Sequence, residues 1–333
     1  MITRNYILSI LFFTSILMSC SSTQKSGEKS GEKSAKQADT IAQSMTFNGD
    51  SAFSFVKAQC DFGPRVPNTK AHRLCGDYFI DKLRSYGANV IVQSPTLTAY
   101  DGTKLQARNI IGEFAPEAKR RLLLLAHWDC RPWADSDPDP KNHRKPVMGA
   151  NDGASGVGVL LELARLFHEK QPGLGVDILL VDAEDWGDDS GTSPDSESTW
   201  ALGTQYWVAN PHRTGYRPIF GILLDMVGAG GSQFSQEYFS MQYAPAVVRE
   251  VWNMAERSGF GNYFVKRSGG AITDDHVFIN RAGIPTIDII AMDTNSANGF
   301  FPQWHTIDDT MEHIDVAVLK AVGQTLTNLI YSY

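Results

Sequence analysis

The chain of 333 residues carries 30 Lys and Arg against 37 Asp and Glu. Residues 1–46 hold five of the basic and three of the acidic groups, leaving 25 against 34 and a formal charge of −9 on the rest, which argues against nucleic acid as a partner. Four cysteines without metal-type spacing leave any metal to nitrogen and oxygen ligands.

Met1 to Ser19 has a basic start (Arg4), an apolar core from Ile7 to Met18 and a small residue before Cys20. This is a secretion signal, too short and too weakly flanked for a membrane span. Leu17-Met18-Ser19-Cys20 resembles a bacterial lipoprotein cleavage site, which implies lipidation of Cys20; the alternative is an ordinary signal peptide with a chance cysteine. Either way the mature protein is exported, and the lipid form is expected on the cell envelope, facing the periplasm. Residues 20–46 contain KSGEKSGEKS and almost no large apolar side chain, so they read as a flexible tether. Residues 47–333 then form a single α/β domain.

Within that domain Asp50–Gln59 and Ala71–Tyr86 read as helices, separated by prolines that block continuation. Val90–Tyr100 and Leu105–Phe114 read as a hairpin turning at Asp101-Gly102. Apolar runs of strand length follow at Leu122–Ala126, Val176–Asp182, Ile219–Leu224 and Ile284–Ile290, alternating with helical patterns at Ala154–His168, Leu202–Asn210 and Pro245–Arg257, with Ile314–Tyr333 as a last helix. That alternation predicts a mixed, mostly parallel sheet with helices on both faces. With Cys20 assigned to the lipid, Cys60, Cys75 and Cys130 admit at most one internal bridge, for which Cys60 and Cys75 are the candidates.

The stretch Leu122–Arg165 organises the rest. Four leucines lead to His127 and Asp129, which share a strand face, and after a loop Asp152 stands in a glycine-rich turn before a helix. Open α/β sheets bind ligands at such switch points. Later strands end in the same manner, at Asp182-Ala183-Glu184-Asp185 and at Asp225, and further polar strings occur at Thr273-Asp274-Asp275-His276 and Trp304-His305. One aspartate after a strand is most often a helix cap. Carboxylates and histidines recurring at successive strand ends suit zinc.

These residues resemble the zinc aminopeptidases with an α/β core and, within them, the glutaminyl cyclases, over nearly all of Phe47–Tyr333. The resemblance implies zinc ligands at Asp152, Asp185 and His305, an acid/base at Glu184, and supporting carboxylates at Asp225 and Asp274. It further implies a substrate wall of Trp304, Ile272, Phe300 and Trp186. His127 and Asp225 match positions that hold a second zinc in the peptidases, so ligands for two metals are present. Asp274-Asp275-His276 and Trp304 before His305 are cyclase-like, whereas Asp288 stands where animal cyclases carry histidine. Asp129 is expected to orient His127, and the acidic insert Gly187–Thr199 to be a solvated loop rather than a calcium site. The expected activity is conversion of N-terminal glutamine of peptides to pyroglutamate with one zinc per chain. The alternatives are a two-zinc aminopeptidase and a non-catalytic binding domain.

Overall fold

The computed structural model describes residues 45–293, 296 and 299–333; the expected signal, Cys20 and most of the tether lie outside them. Among the described residues the domain's contacts already include Met45. Gln324 explains this by bracketing the segment, donating to the Met45 carbonyl and accepting from the Phe47 amide.

Two helices come first, α1 (Gly49–Cys60), capped by the Asn48 side chain, and α2 (Lys70–Ser85), capped by Thr69. The hairpin follows as four strands, β1 (Asn89–Gln93), β2 (Thr96–Thr98), β3 (Lys104–Gln106) and β4 (Asn109–Phe114). It breaks at Pro95, which cannot donate to a ladder. Thus β2 and β3 make a two-stranded ribbon of their own, while β1 pairs antiparallel with β4 in the main sheet.

Then come β5 (Arg121–His127), α3 (Ala154–Glu169), β6 (Gly175–Val181), α4 (Leu202–Ala209) and β7 (Gly221–Asp225). The chain continues through β8 (Phe234–Gln236), α5 (Tyr238–Tyr243), α6 (Pro245–Arg257), β9 (Phe264–Ser268), α7 (Asp275–Arg281), β10 (Thr286–Ile290) and α8 (Val316–Ile330). The main sheet runs β1-β4-β6-β5-β7-β10, and β6, β5, β7 and β10 are mutually parallel.

Strand β5 is buried along its whole length because it has parallel neighbours on both sides and helices on both faces. Leu122, Leu124 and Ala126 pack into the larger core with α1, α3 and α8; Leu123 and Leu125 pack the other way, against Trp207 and Ile279. Truncating such a leucine to alanine costs about 2–5 kcal/mol. Helix α3 lies so close to its neighbours that a Cβ on Gly156 would meet the Leu224 carbonyl at 2.2 Å, and one on Gly158 would meet Val56 of α1 at 2.6 Å. Those two glycines bring the N-terminus of α3, and the Asp152 turn before it, down onto the sheet edge.

The bridge suggested between Cys60 and Cys75 is not formed: Cys60, Cys75 and Cys130 are free thiols. Cys75 is fully buried in the larger core and Cys60 packs at its margin, each as a small apolar group, and burial pushes the Cys75 thiol up to about 12. Among the described residues no helix is long and apolar enough to cross a membrane.

Candidate active site

The polar residues singled out in the sequence meet at the carboxyl edge of the parallel strands. Ligand atoms of Asp152, Asp185 and His305 lie within 4.8 Å of one another, all three side chains buried. His305 Nε2 is 3.2 Å from Asp185 Oδ1 and 3.6 Å from Asp152 Oδ2. Zinc bonds of about 2 Å at tetrahedral angles place neighbouring ligand atoms about 3.3 Å apart, so this set fits the ion. Asp185 Oδ1 also has no hydrogen-bond donor. A second set shares Asp152: His127 Nε2 lies 3.0 Å from Asp152 Oδ1 and 3.2 Å from Asp225 Oδ1. The short side chain of Asp185 reaches the first set.

The loops carrying these ligands are held by other carboxylates. Asp129 accepts the amide N–H of Glu184 at 3.1 Å and of Asp185 at 3.2 Å, one on each oxygen. Its nearest approach to His127 is 3.6 Å, at Nδ1. The carboxylate thus lies beside His127 and also holds the backbone under the acid/base and one ligand. Asp309 does the same for the opposite loop, accepting from Asn151 N at 2.8 Å and Asp152 N at 3.0 Å. The sequence showed Asp309 near His305 but gave no sign of this pairing across 157 positions. Non-glycine residues with positive φ gather here as well: Ala183 (53°), Met226 (48°) and His305 itself (54°). Backbone in that region persists only where its surroundings over-determine it.

A cleft of about 200 Å³ opens above the set, with Trp200, Ile272, Phe300 and Trp304 among its lining residues. Trp304 stacks on His305 with ring centroids 3.6 Å apart, and Phe300 leans on Trp304 at 4.9 Å. Trp186 does not line the cleft. It packs against Trp133 at 5.6 Å and donates from its indole to Asp101, in a cluster with Val66, Ala99 and Leu105. Trp200, at the far end of the insert, occupies the wall instead.

The sequence pattern of peptidase family M28 matches residues 109–330. The chain belongs to this family. Among solved structures it is similar to Bacteroides thetaiotaomicron glutaminyl cyclase bound to N-acetylhistamine, 54% identical, covering 87% of this chain and 100% of that one with a TM-score of 0.85. It is equally similar to a leucine aminopeptidase precursor from the same organism, 54% identical, covering 87% and 99% of the two chains with a TM-score of 0.84. It also resembles the glutaminyl-peptide cyclotransferase of Bos taurus, 27% identical over 259 residues, which are 68% of this chain and 66% of that relative's length.

The electrostatics of this M28 site follow from burying many carboxylates together. Burial, reinforced by the charges of Asp274 and Asp185 against the opposing His127, holds Glu184 well above the usual carboxylate range. Asp274 is raised well above it by burial and by Asp225; Asp225 is raised by burial and by Asp152, with His127 opposing. Asp274 doubles as the cap of α7, accepting from Asp275 N at 2.5 Å, so the common reading of such a residue holds alongside its place in the acidic group. Burial and the charge of Asp274 also raise Asp288 on β10. Burial would lower His127, but the carboxylates of Asp129, Asp152 and Asp225 around it outweigh that and raise it. His305 is likewise pushed up to about 9, burial being overcome by Asp185 and Asp135. A bound dication would relieve this excess of negative charge.

Proposed function

We propose that this chain converts N-terminal glutamine of peptides and proteins to pyroglutamate, releasing ammonia, with one zinc held by Asp152, Asp185 and His305. The chain is an enzyme of the glutaminyl cyclase kind in a zinc-dependent family, as its similarity to the Bacteroides cyclase over 87% of this chain supports. When bound, zinc supplies a Lewis acid for the γ-carboxamide oxygen. The remaining work falls to the chain. Its cleft, walled by Trp304, Phe300 and Ile272, holds the substrate's α-amine against its own γ-carbon, and this proximity removes much of the barrier. Glu184 accepts a proton from the attacking amine and returns it to the departing nitrogen as the C–N bond breaks, so no proton is consumed overall. Asp225 and Asp274 share a proton, because two carboxylates buried together cannot both ionise without cost. The shared pair holds either Glu184 or the substrate amine.

The observation that carries this reading is Asp274, fully buried, capping α7 and raised by the charge of Asp225. A proton shared there competes with a second metal for Asp225. The distances from His127 Nε2 to Asp152 and Asp225 favour a different reading, a two-zinc aminopeptidase. One experiment separates the two: the purified zinc-loaded protein is given a glutaminyl dipeptide and a leucyl amide, with metal analysis beside the Asp274→Ser variant. Ammonia with a ring-closed peptide, one zinc in the parent and a rise toward two in the variant are expected. Free leucine and two zincs in the active parent would establish the peptidase. The intact set of Asp152, Glu184, Asp185 and His305 speaks against a non-catalytic binding domain.

By this proposal the protein is exported and anchored in the cell envelope through a lipid on Cys20, facing the periplasm. Cys20→Ala should move it from the membrane to the soluble fraction; continued membrane association would overturn the anchor.

A further inference from the structure

The insert Gly187–Thr199 carries a built structure. Asp188 accepts hydrogen bonds from Ser190 N (3.0 Å), Ser190 Oγ (2.5 Å), Thr192 Oγ1 (3.0 Å) and Ser193 N (2.7 Å), and its own amide donates to Thr199 Oγ1 (2.8 Å). One end is fixed to the catalytic floor, where Arg131 donates to the Gly187 carbonyl at 2.9 Å. Gly187 lies so close to Trp200 that a Cβ there would meet the indole at 2.0 Å. The other end is tied outward, by Glu197 to Arg281 of α7 at 2.5 Å. The loop thus folds back on itself and brings two residues to the cleft, Trp200 and Asp189.

Asp189 differs from the other acids around the cleft. Asp152, Glu184, Asp185, Asp225 and Asp274 are buried in the floor, where zinc and shared protons offset their charge; Asp189 is exposed. Among the described residues no Lys or Arg lines the cleft. Arg131, on which the Asp189 charge also acts, lies behind Trp200 with its guanidinium 4.9 Å from the ring, and is engaged with Asp135 at 2.5 Å. A peptide whose first residue occupies the cleft therefore emerges past an exposed carboxylate.

We infer that Asp189, held by the Asp188-centred loop, selects against an acidic residue immediately after the glutamine and favours neutral or cationic ones. This rests on the cyclase reading of the same cleft. An exposed charge acting across several ångströms of solvent alters kcat/KM by a few-fold for each sign of partner, so a cationic and an acidic second residue should differ roughly tenfold at low salt. The difference should lie in KM, since the second residue is remote from the reacting atoms.

The test measures ring closure of Gln-Lys, Gln-Leu and Gln-Glu amides by the parent, Asp189→Asn and Asp189→Lys, at low and high salt. The expected result is a Gln-Lys to Gln-Glu ratio of roughly ten in the parent, near one in Asp189→Asn and inverted in Asp189→Lys, with all three ratios drawn toward one by salt. Each ratio is taken within one protein, so partial loss of folded enzyme cancels. Ring closure with the same ratio in all three proteins would overturn the role of Asp189 and leave the cyclase reading standing. Absence of ring closure on every amide would overturn the cyclase reading, and this preference with it.

Discussion

Asp152 and Asp185 project from backbone that buried carboxylates hold, two amide N–H groups to Asp309 and two to Asp129. The His305 loop is tied in turn, its carbonyl accepting from Ser136 and the Ile307 amide donating to Asp137. Trp200, Ile272, Phe300 and Trp304 are held differently. The Ile272 amide donates to the buried carboxylate of Glu237, the Trp200 and Trp304 amides donate to the carbonyls of Glu197 and Phe301 a few residues back, and Phe300, Trp304 and His305 are in ring contact. The floor is thus fixed by charge-assisted hydrogen bonds between segments far apart in sequence, and the rim by packing and local loops. Chemistry needs the first arrangement, because ligand and acid/base positions must be kept within a fraction of an ångström. Selection among peptides tolerates the second.

The sharpest way to break this distinction is Glu184→Gln. The amide fills the same space but cannot carry a proton, so turnover should fall by roughly 10² to 10⁴ while zinc content is unchanged. Near-normal turnover would move the acid/base elsewhere. A smaller effect is expected from Asp309→Asn, which leaves one oxygen to serve two amides. Partners that position metal ligands typically contribute 10–100-fold in affinity, so zinc should bind roughly that much more weakly by competition with a chelator. An unchanged affinity would reduce Asp309 to a general packing role.

The smallest effect concerns pH and the metal-free protein. Burial holds Asp185 at about 6 and Asp275 and Asp309 at about 7, so between the ordinary carboxylate value near 4 and those values the folded chain keeps protons that the unfolded chain has lost. Stability must therefore fall as pH rises through that window. His305, raised to about 9, adds the same sign: its contribution is complete below about 6.5 and is lost as pH rises through its folded value. Asp135 and Asp152, both lowered, contribute above the ordinary carboxylate value and lose that contribution only in acid. The melting temperature of the chelated protein should decline from about pH 5 to about pH 9, and less steeply with zinc bound. A flat metal-free profile would mean that the charges of the floor are balanced without an ion.

Part of the floor was legible in the sequence because Glu184, Asp185 and Asp225 follow long apolar runs, which locate strand ends, whereas Asp152, Asp274 and His305 stood out as polar residues in turns and loops. The backbone contacts of Asp129 and the role of Asp309 were not visible because their partners are backbone amides on other loops, which carry no residue-specific signal. The rim was less legible. Trp186 directly follows Asp185 and so looked like cleft wall, but the chain turns it toward Trp133, and the wall falls to Trp200 after the insert. Strands β8 and β9 and helix α7 escaped because three to seven residues are too few to show a period.

The contact between the beginning and the end of the domain sets an order of assembly. Phe47 is buried against Gly323 of α8, where even a methyl group would collide with its ring at 2.2 Å, and Gln324 brackets the backbone on either side of Thr46. Helix α1 packs on α8 and on α3, so the larger core has no finished wall until the last helix joins. A chain delivered amino-terminus first must hold its first helix in waiting while nearly three hundred residues follow. Closure by α8 is then the step that commits the chain to its final shape.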